Sequence, residues 1–305
     1  MTLAQNSKIA AVIVTYQRFD LFSCSLQAVM NQSRLPDWII VIDNGDEPVI
    51  QEVAQKIAGS LLVYIPAKRN LGGAGGYALG FLTALTLGAD AVWCADDDGQ
   101  PRDNYVLQEL LECAVKNQLD QVSPAVCSLQ SPQKLAFPVR RGLEWKTTLS
   151  ELRGEADNTG LLTGISALFN GALISSTAIE TVGLPSIQLF IRGDEVDFHR
   201  RLVRSGLKFG TNTDAVYLHP DSESEHHSIF GGKAHVQVPV GSTKQYYQFR
   251  NRGFLLSQPG KKKLKLQEYV RYFWFYIIVK KDPKSFILWH SLMRQGAREQ
   301  FLRIP

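Results

Sequence analysis

"KIAAVIVTYQRFDLFSCSLQAVMNQSRLPDWIIVIDNG", residues 8–45, holds the unit from which most of the chain is built. Its first segment, Ile9–Val14, is an unbroken apolar run, the pattern of a parallel strand covered on both faces. Leu21, Leu26, Val29 and Met30 then recur at helical spacing, with Asp20 in the position of an N-cap. A second apolar run, Trp38–Ile42, ends on Asp43. Strand, helix and strand in that order imply parallel pairing through a right-handed crossover.

The alternation continues outward. "EPVIQEVAQKIAG" predicts a helix stopped by Gly59, "LLVYIPA" a third strand, "YALGFLTALTLG" a helix and "DAVWCADDDG" a fourth strand. The fold class is therefore α/β with a mostly parallel sheet. After "YVLQELLECAVKN" and "DQVSPAVCS" the pattern loosens from about residue 129 to 160. "GISALFNGALISSTAIETVG" predicts a buried strand and a short helix, "GDEVDFHRRLVRSG" a helix that starts on its acids, and "AVYLHP" a last strand. Residues 221–244 read as a loop, and everything beyond "YYQFRNRGFLL" as helical, basic and aromatic. Thr15–Arg18, Asp43, Asn70–Gly76 and Asp96–Asp98 all fall at the carboxyl ends of strands, where open α/β sheets bind ligands.

Charge is unevenly distributed. The 305 residues carry a net +4, but Lys261 onward holds eleven basic residues against three acids, and residues 1–260 are net −4. A catalytic body with a basic tail fits this better than a nucleic-acid binder, whose body would carry the positive surface. Cys24, Cys94, Cys113 and Cys127 show neither paired nor metal-ligand spacing and read as buried thiols of a reducing compartment. There is no secretory h-region, and no apolar run reaches the roughly 18 residues of a spanning helix. The expected location is the cytoplasm, with contact at the inner membrane face left open by the tail.

Three motifs carry chemistry. "NLGGAGGYALG", residues 70–80, contains a dinucleotide-type match, Gly73-x-Gly75-x-x-Ala78, with Asp96 further on. Two strand–helix units precede it, however, whereas such a fingerprint normally follows the first strand. The competing explanation is close helix packing. "ADDDG" places three carboxylates at a strand end, which repel unless a cation balances them. Alternate residues of an extended segment face one side, so Asp96 and Asp98 can share a divalent ion while Asp97 points elsewhere. Oxygen ligands suit Mg²⁺ or Mn²⁺. "GDEVDF" puts Asp194, Glu195 and Asp197 in a first helical turn, as dipole-favoured acids or as the seat of a general base. His219, a lone histidine at a strand end, is by spacing alone more often structural than ligating.

Together, "VIVTYQR", "IDNG", "RNLGGAGG", "DDDG", "FNGALIS", "GDEVDF", "YLHP" and "YYQFRNR" resemble the inverting GT-A glycosyltransferases of family two. "NLGGAGGY" is most similar to the galactofuranosyltransferases, which use UDP-galactofuranose. The resemblance covers roughly residues 8 to 256 and implies a GT-A domain over 1–256 with a helical basic extension over 257–305. It implies that Thr15, Tyr16, Arg18 and Asp43 hold the uridine, with Arg69, Asn70, Gly72, Gly73 and Asp97 at the donor. It makes Asp96, Asp98 and His219 the ligands of Mn²⁺ or Mg²⁺. The family's base is usually the second acid of a pair, here Glu195, with Asp194 beside it; many relatives carry aspartate in that column, so both stay in play. The implied partners are a UDP-sugar and a saccharide or polyprenyl-linked acceptor. Rhamnosyl transfer from dTDP-rhamnose is the neighbouring alternative, and a non-catalytic nucleotide-sugar binder a further one. "KKKLKLQEYVRYFWFYIIVKK", in the tail, suits a helix at an anionic bilayer surface, and equally one packed on the body or on a second copy.

Overall fold

The computed structural model describes residues 3–141, 144–221 and 225–304. They fall into two compact units, the first drawn from Met1–Ser186 and Phe198–Asp221, the second from Ile187–Asp197 and Ser222–Pro305.

The first unit begins with the βα repeats read from the sequence: β1 (Ile9–Thr15), α1 (Phe19–Met30), β2 (Trp38–Asp43), α2 (Pro48–Ala58), β3 (Leu62–Pro66), α3 (Gly72–Thr86) and β4 (Ala91–Asp96). It continues through β5 (Gln100–Pro101), α4 (Val106–Asn117) and β6 (Gln121–Ser128). Next come β7 (Lys134–Arg141), β8 (Glu144–Thr148), α5 (Leu149–Arg153), β9 (Leu161–Thr163), β10 (Leu173–Ser175) and α6 (Ser176–Val182). The helix α7 (Asp194–Ser205), of which the part from Phe198 belongs to this unit and Asp194–Asp197 to the second, and the strand β11 (Phe209–His219) follow.

The strands run in the order β3-β2-β1-β4-β10-β6-β11-β5. β1, β2, β3 and β4 pair in parallel, as do β6 and β11, while β10 lies antiparallel between β4 and β6. The register sets Thr15 opposite Asp43 and Val14 opposite Asp96, so the strand ends of β1, β2 and β4 are level. Period-2 alternation feeds two cores. Ile9, Ala11 and Ile13 pack with Phe22, Leu26 and Leu110, whereas Ala10, Val12 and Val14 pack with Tyr77, Phe81 and Ile179 on the other face.

Several expectations change in detail. Asp20 is not the N-cap of α1: the cap position is Arg18, without a side-chain cap bond, and Asp20 sits in the first turn. The loosened stretch contains the β7–β8 pair, whose exposed edge lacks the apolar alternation by which a strand is read. Cys24 is exposed, while the other three thiols are buried. The glycine stretch does not precede its helix but forms it, since α3 starts at Gly72.

In the second unit, β12 (His226–Ile229) and β13 (Ala234–Gln237) form an antiparallel hairpin within the stretch read as a loop. Only Ile229 and Val236 of that hairpin are buried, too few to leave a pattern in the sequence. Residues 222–224 of the same stretch lie outside the described residues. Then come α8 (Ser242–Ser257), α9 (Lys262–Phe273), a π-helical turn over Trp274–Val279, and α10 (Pro283–Ala297). Their core is aromatic, with Tyr272 stacked on Trp289 at 4.7 Å and Phe249, Phe275 and Tyr276 around them. No helix of the described residues is long and apolar enough to cross a membrane.

Candidate active site

The acids of "DDDG" leave the sheet where β4 ends, and the first unit fixes their backbone from three sides. Ser25 of α1 donates to the Asp96 carbonyl at 2.7 Å, the Asp96 N–H donates to the Tyr217 hydroxyl at 3.1 Å, and Tyr77 of α3 donates to the Ala95 carbonyl at 3.2 Å. Tyr77 and Tyr217 are buried, as befits rings whose polar tips find partners. The sequence reading missed all three residues. The one available signal was Tyr217 itself, two positions before His219 and so on the same side of an extended strand.

The side chains of Asp96, Asp98 and His219 converge: one ligand atom from each lies within 4.8 Å of the others. His219 Nε2 stands 3.2 Å from Asp98 Oδ1 and 3.9 Å from Asp96 Oδ2. Its Nδ1 is 2.6 Å from the Pro220 carbonyl, so the proton on Nδ1 donates there and Nε2 turns to the acids. Arg18 closes the group, with Nη1 at 3.0 Å from Asp97 Oδ1 and 2.6 Å from Asp98 Oδ2.

The charges explain the geometry. Burial, then the charges of Asp98 and Asp97, hold the Asp96 carboxyl well above the usual range against the pull of His219. Burial also raises Asp97, opposed by Arg18. Burial pushes against ionised Asp98 too, but the hydrogen bonds and charges of His219 and Arg18 win and keep it below the ordinary value. Burial would lower His219, yet its bond to Asp98 and the charges of Asp98 and Asp96 push it up to about 9. The cluster remains short of positive charge at Asp96. Two carboxylates and an imidazole around one point make a donor set that fits a divalent cation.

Around this centre the other expected donor residues take up distinct positions. Thr15 is buried at the end of β1, and Tyr16 is exposed just beyond it. Asp43 is fully buried, and its oxygens already accept from the Gly45 and Glu47 N–H groups at 2.8 and 2.7 Å and from the Tyr64 hydroxyl at 2.6 Å. Asn44, which the sequence reading passed over, links this turn to the glycines by donating to the Gly72 carbonyl at 3.2 Å and accepting from the Leu71 N–H at 3.1 Å. Asn70 Oδ1 accepts from the Gly72 N–H at 2.8 Å, and Arg69 is exposed.

The glycines divide in two. A β-carbon at Gly76 or Gly80 would overlap Val14 or Val12, so those two are required by helix-on-strand packing. At Gly73 a β-carbon would meet nothing within 4 Å, and Gly72 has a φ of +68° that disfavours any side chain. Packing, one of the explanations weighed from the sequence, therefore accounts for Gly76 and Gly80, backbone conformation accounts for Gly72, and open space remains at Gly73.

Asp194 and Glu195 lie in the second unit, at the start of α7. Asp194 is buried, and burial, followed by the charge of Glu195, pushes its carboxyl up to about 7. Glu195 is exposed. A carboxyl titrating near neutrality at a helix start has the acidity expected of a general base.

An α/β sheet with an acidic cluster at its strand ends and little bulk at the start of α3 has the features of a ligand-binding α/β fold. The chain belongs to glycosyl transferase family 2, whose model matches residues 10–173. Over nearly its whole length it is similar to galactofuranosyltransferase GlfT1. The identity is 49% with the Mycolicibacterium smegmatis protein, covering 99% of this chain and 100% of that one. It is 51% with the Mycobacterium tuberculosis protein, covering 97% of each. A more distant relative, the O-antigen chain rhamnosyltransferase RfbN of Salmonella typhimurium, is 25% identical over 70% of this chain and 66% of its own. Among solved structures, GalNAc-T7 with UDP, GalNAc and Mn²⁺ superposes with a TM-score of 0.57 at 16% identity, over 91% of this chain and 59% of that one. The fold is the GT-A fold that the motifs imply.

Proposed function

We propose that this chain transfers galactofuranose from UDP-galactofuranose, with inversion, to a hydroxyl of a saccharide or polyprenyl-linked glycan. The observation that carries the donor is the identity of about half of all positions with galactofuranosyltransferases along the full chain. Rhamnosyl transfer has only the distant relative behind it. Residues 1–256 are taken as the glycosyltransferase domain and 257–305 as its helical extension.

Thr15, Tyr16, Arg18 and Asp43 bind the uridine end of the donor, and Arg69, Asn70, Gly72, Gly73 and Asp97 its sugar-diphosphate end. Mn²⁺ or Mg²⁺ held by Asp96, Asp98 and His219 would neutralise charge on the departing diphosphate. Arg18, already paired with Asp97 and Asp98, adds a second positive charge beside that leaving group. Glu195 takes the proton from the acceptor hydroxyl, with Asp194 supporting it. Burial and a carboxyl near neutrality favour a second assignment, Asp194 as the base.

The tail reading also has support. Leu266, Val270, Phe273, Trp274, Ile278 and Val279 are exposed, and Lys263, Lys265, Lys280 and Lys281 flank them in sequence. Such a surface suits an anionic bilayer, or a second copy of the chain. Nucleoside diphosphate release should be fastest with UDP-galactofuranose in a panel containing UDP-galactopyranose and dTDP-rhamnose, and the protein should co-sediment with phosphatidylglycerol vesicles. Faster turnover with dTDP-rhamnose would overturn the donor, and sedimentation equal to that with neutral vesicles the tail.

A further inference from the structure

"YYQFRNR", residues 246–252, belongs to the resemblance, yet no chemistry follows from its residue types. Inside the second unit it forms the middle of α8. Arg250 is completely buried there, and among the described residues its guanidinium has no carboxylate partner. It donates instead to the carbonyls of Gln188, Leu189 and Leu302 at 3.0, 3.1 and 2.6 Å, and to Asn251 Oδ1 at 2.9 and 2.8 Å. Tyr246, Tyr247 and Phe301 surround the charge, with ring centroids 5.6, 4.8 and 5.5 Å away. Ring faces and carbonyl dipoles stand in for a counter-ion.

Asn251 completes the set. Its Nδ2 donates to the carbonyls of Leu189, Ile191 and Arg192 at 2.8, 3.0 and 2.6 Å. The two side chains thus capture four of the five carbonyls from 188 to 192. That short segment is conformationally expensive: Phe190, Arg192 and Gly193 have φ of +68°, +63° and +93°. A conformation of this kind persists only where its surroundings over-determine it. Further fixings are the Phe190 ring on Tyr247 at 4.7 Å and the Arg192 fork on Glu225 at 2.7 and 2.8 Å. The next residues are Asp194 and Glu195, and the Asp197 N–H closes back on the Gly193 carbonyl at 2.9 Å.

We infer that Arg250 and Asn251 are positioning residues for the reaction: they clamp the strained turn 188–193 and so hold the acid pair at the start of α7 in one geometry. This rests on the reading of that pair as the seat of the base. Asn251→Asp is the discriminating variant, because it keeps an oxygen for Arg250 while replacing the N–H donors to 189, 191 and 192 by an acceptor. The expected result is an unchanged far-UV spectrum, unchanged affinity for UDP with Mn²⁺, a kcat lower by about 10²-fold, and faster amide exchange confined to 188–196. Arg250→Lys, which keeps the charge without the planar fork, should do the same and serves if the first variant fails to fold. Native turnover in a folded Asn251→Asp protein overturns the inference, and so does lost turnover with native exchange in 188–196. The acid-pair reading fails separately: it falls if Asp194→Asn and Glu195→Gln in the native background both keep full turnover.

Discussion

Arg18 and Arg250 show two ways of keeping an arginine in place, and each belongs to one unit of the molecule. Arg18 is partly exposed and held by two carboxylates of a cluster that has room for a cation. Arg250 is wholly buried and held by neutral carbonyls and rings. The partners of Arg18 are ones a metal ion can compete for, so its position is exchangeable. No small ion competes for a carbonyl set already bound to a fork inside an aromatic box. The first unit therefore keeps its charge movable, while the second keeps its geometry fixed.

The contrast can be broken most severely at Asp98, which touches both Arg18 and His219. Asp98→Ala should reduce transfer to background and abolish Mn²⁺ binding followed by electron paramagnetic resonance. Retained Mn²⁺ binding together with full turnover would show that the cluster holds no metal.

A smaller loss should follow in the second unit. Glu195→Gln is expected to lower kcat about 10²–10⁴-fold with donor affinity nearly unchanged, and Asp194→Asn to lower it less. The reverse order would make Asp194 the base, and turnover of the native chain would then decline as pH falls below about 7, where Asp194 takes up its proton. The same carboxyl has a sign to check in stability. Its folded-state value is raised, so its proton binding favours the folded state below the ordinary carboxylate value, and that contribution is lost as pH rises through about 7. Asp194→Asn should accordingly raise Tm at pH 8 and leave it unchanged at pH 4, read by thermal unfolding.

The mildest change is Arg18→Gln. Removing a cation that competes for Asp97 and Asp98 should tighten Mn²⁺ binding to the nucleotide-free protein by about 3- to 5-fold, the scale of a half-exposed ion pair. Weaker Mn²⁺ binding in that titration would mean that Arg18 supports the metal site.

The sequence disclosed the sheet wherever both faces of a strand are covered, because Ile9–Thr15 and Trp38–Asp43 then become unbroken apolar runs. It also disclosed β10 as a buried strand ahead of a short helix, but not that β10 lies antiparallel between β4 and β6, because local pattern carries no partner direction. The acids and His219 were legible as a group through their resemblance to a family, while the pairing of Arg18 with Asp97 and Asp98 was not, because an ion pair between residues 79 or 80 positions apart leaves no local pattern. Ser25, Asn44 and Tyr217 stayed hidden because each acts through a single hydrogen bond or pair of bonds to distant backbone. Such bonds need no periodicity and leave none.

Gly76 and Gly80 lie so close to Val14 and Val12 that the distance between α3 and β1 is set by two missing methyl groups. In the terms of sequence drift, these positions are frozen whether or not the protein ever meets a sugar, whereas Gly73, with open space before it, is free to change unless a ligand forbids it. A run of glycines that looks like one signature is thus two records, one of how the chain folds and one of what it has had to accommodate.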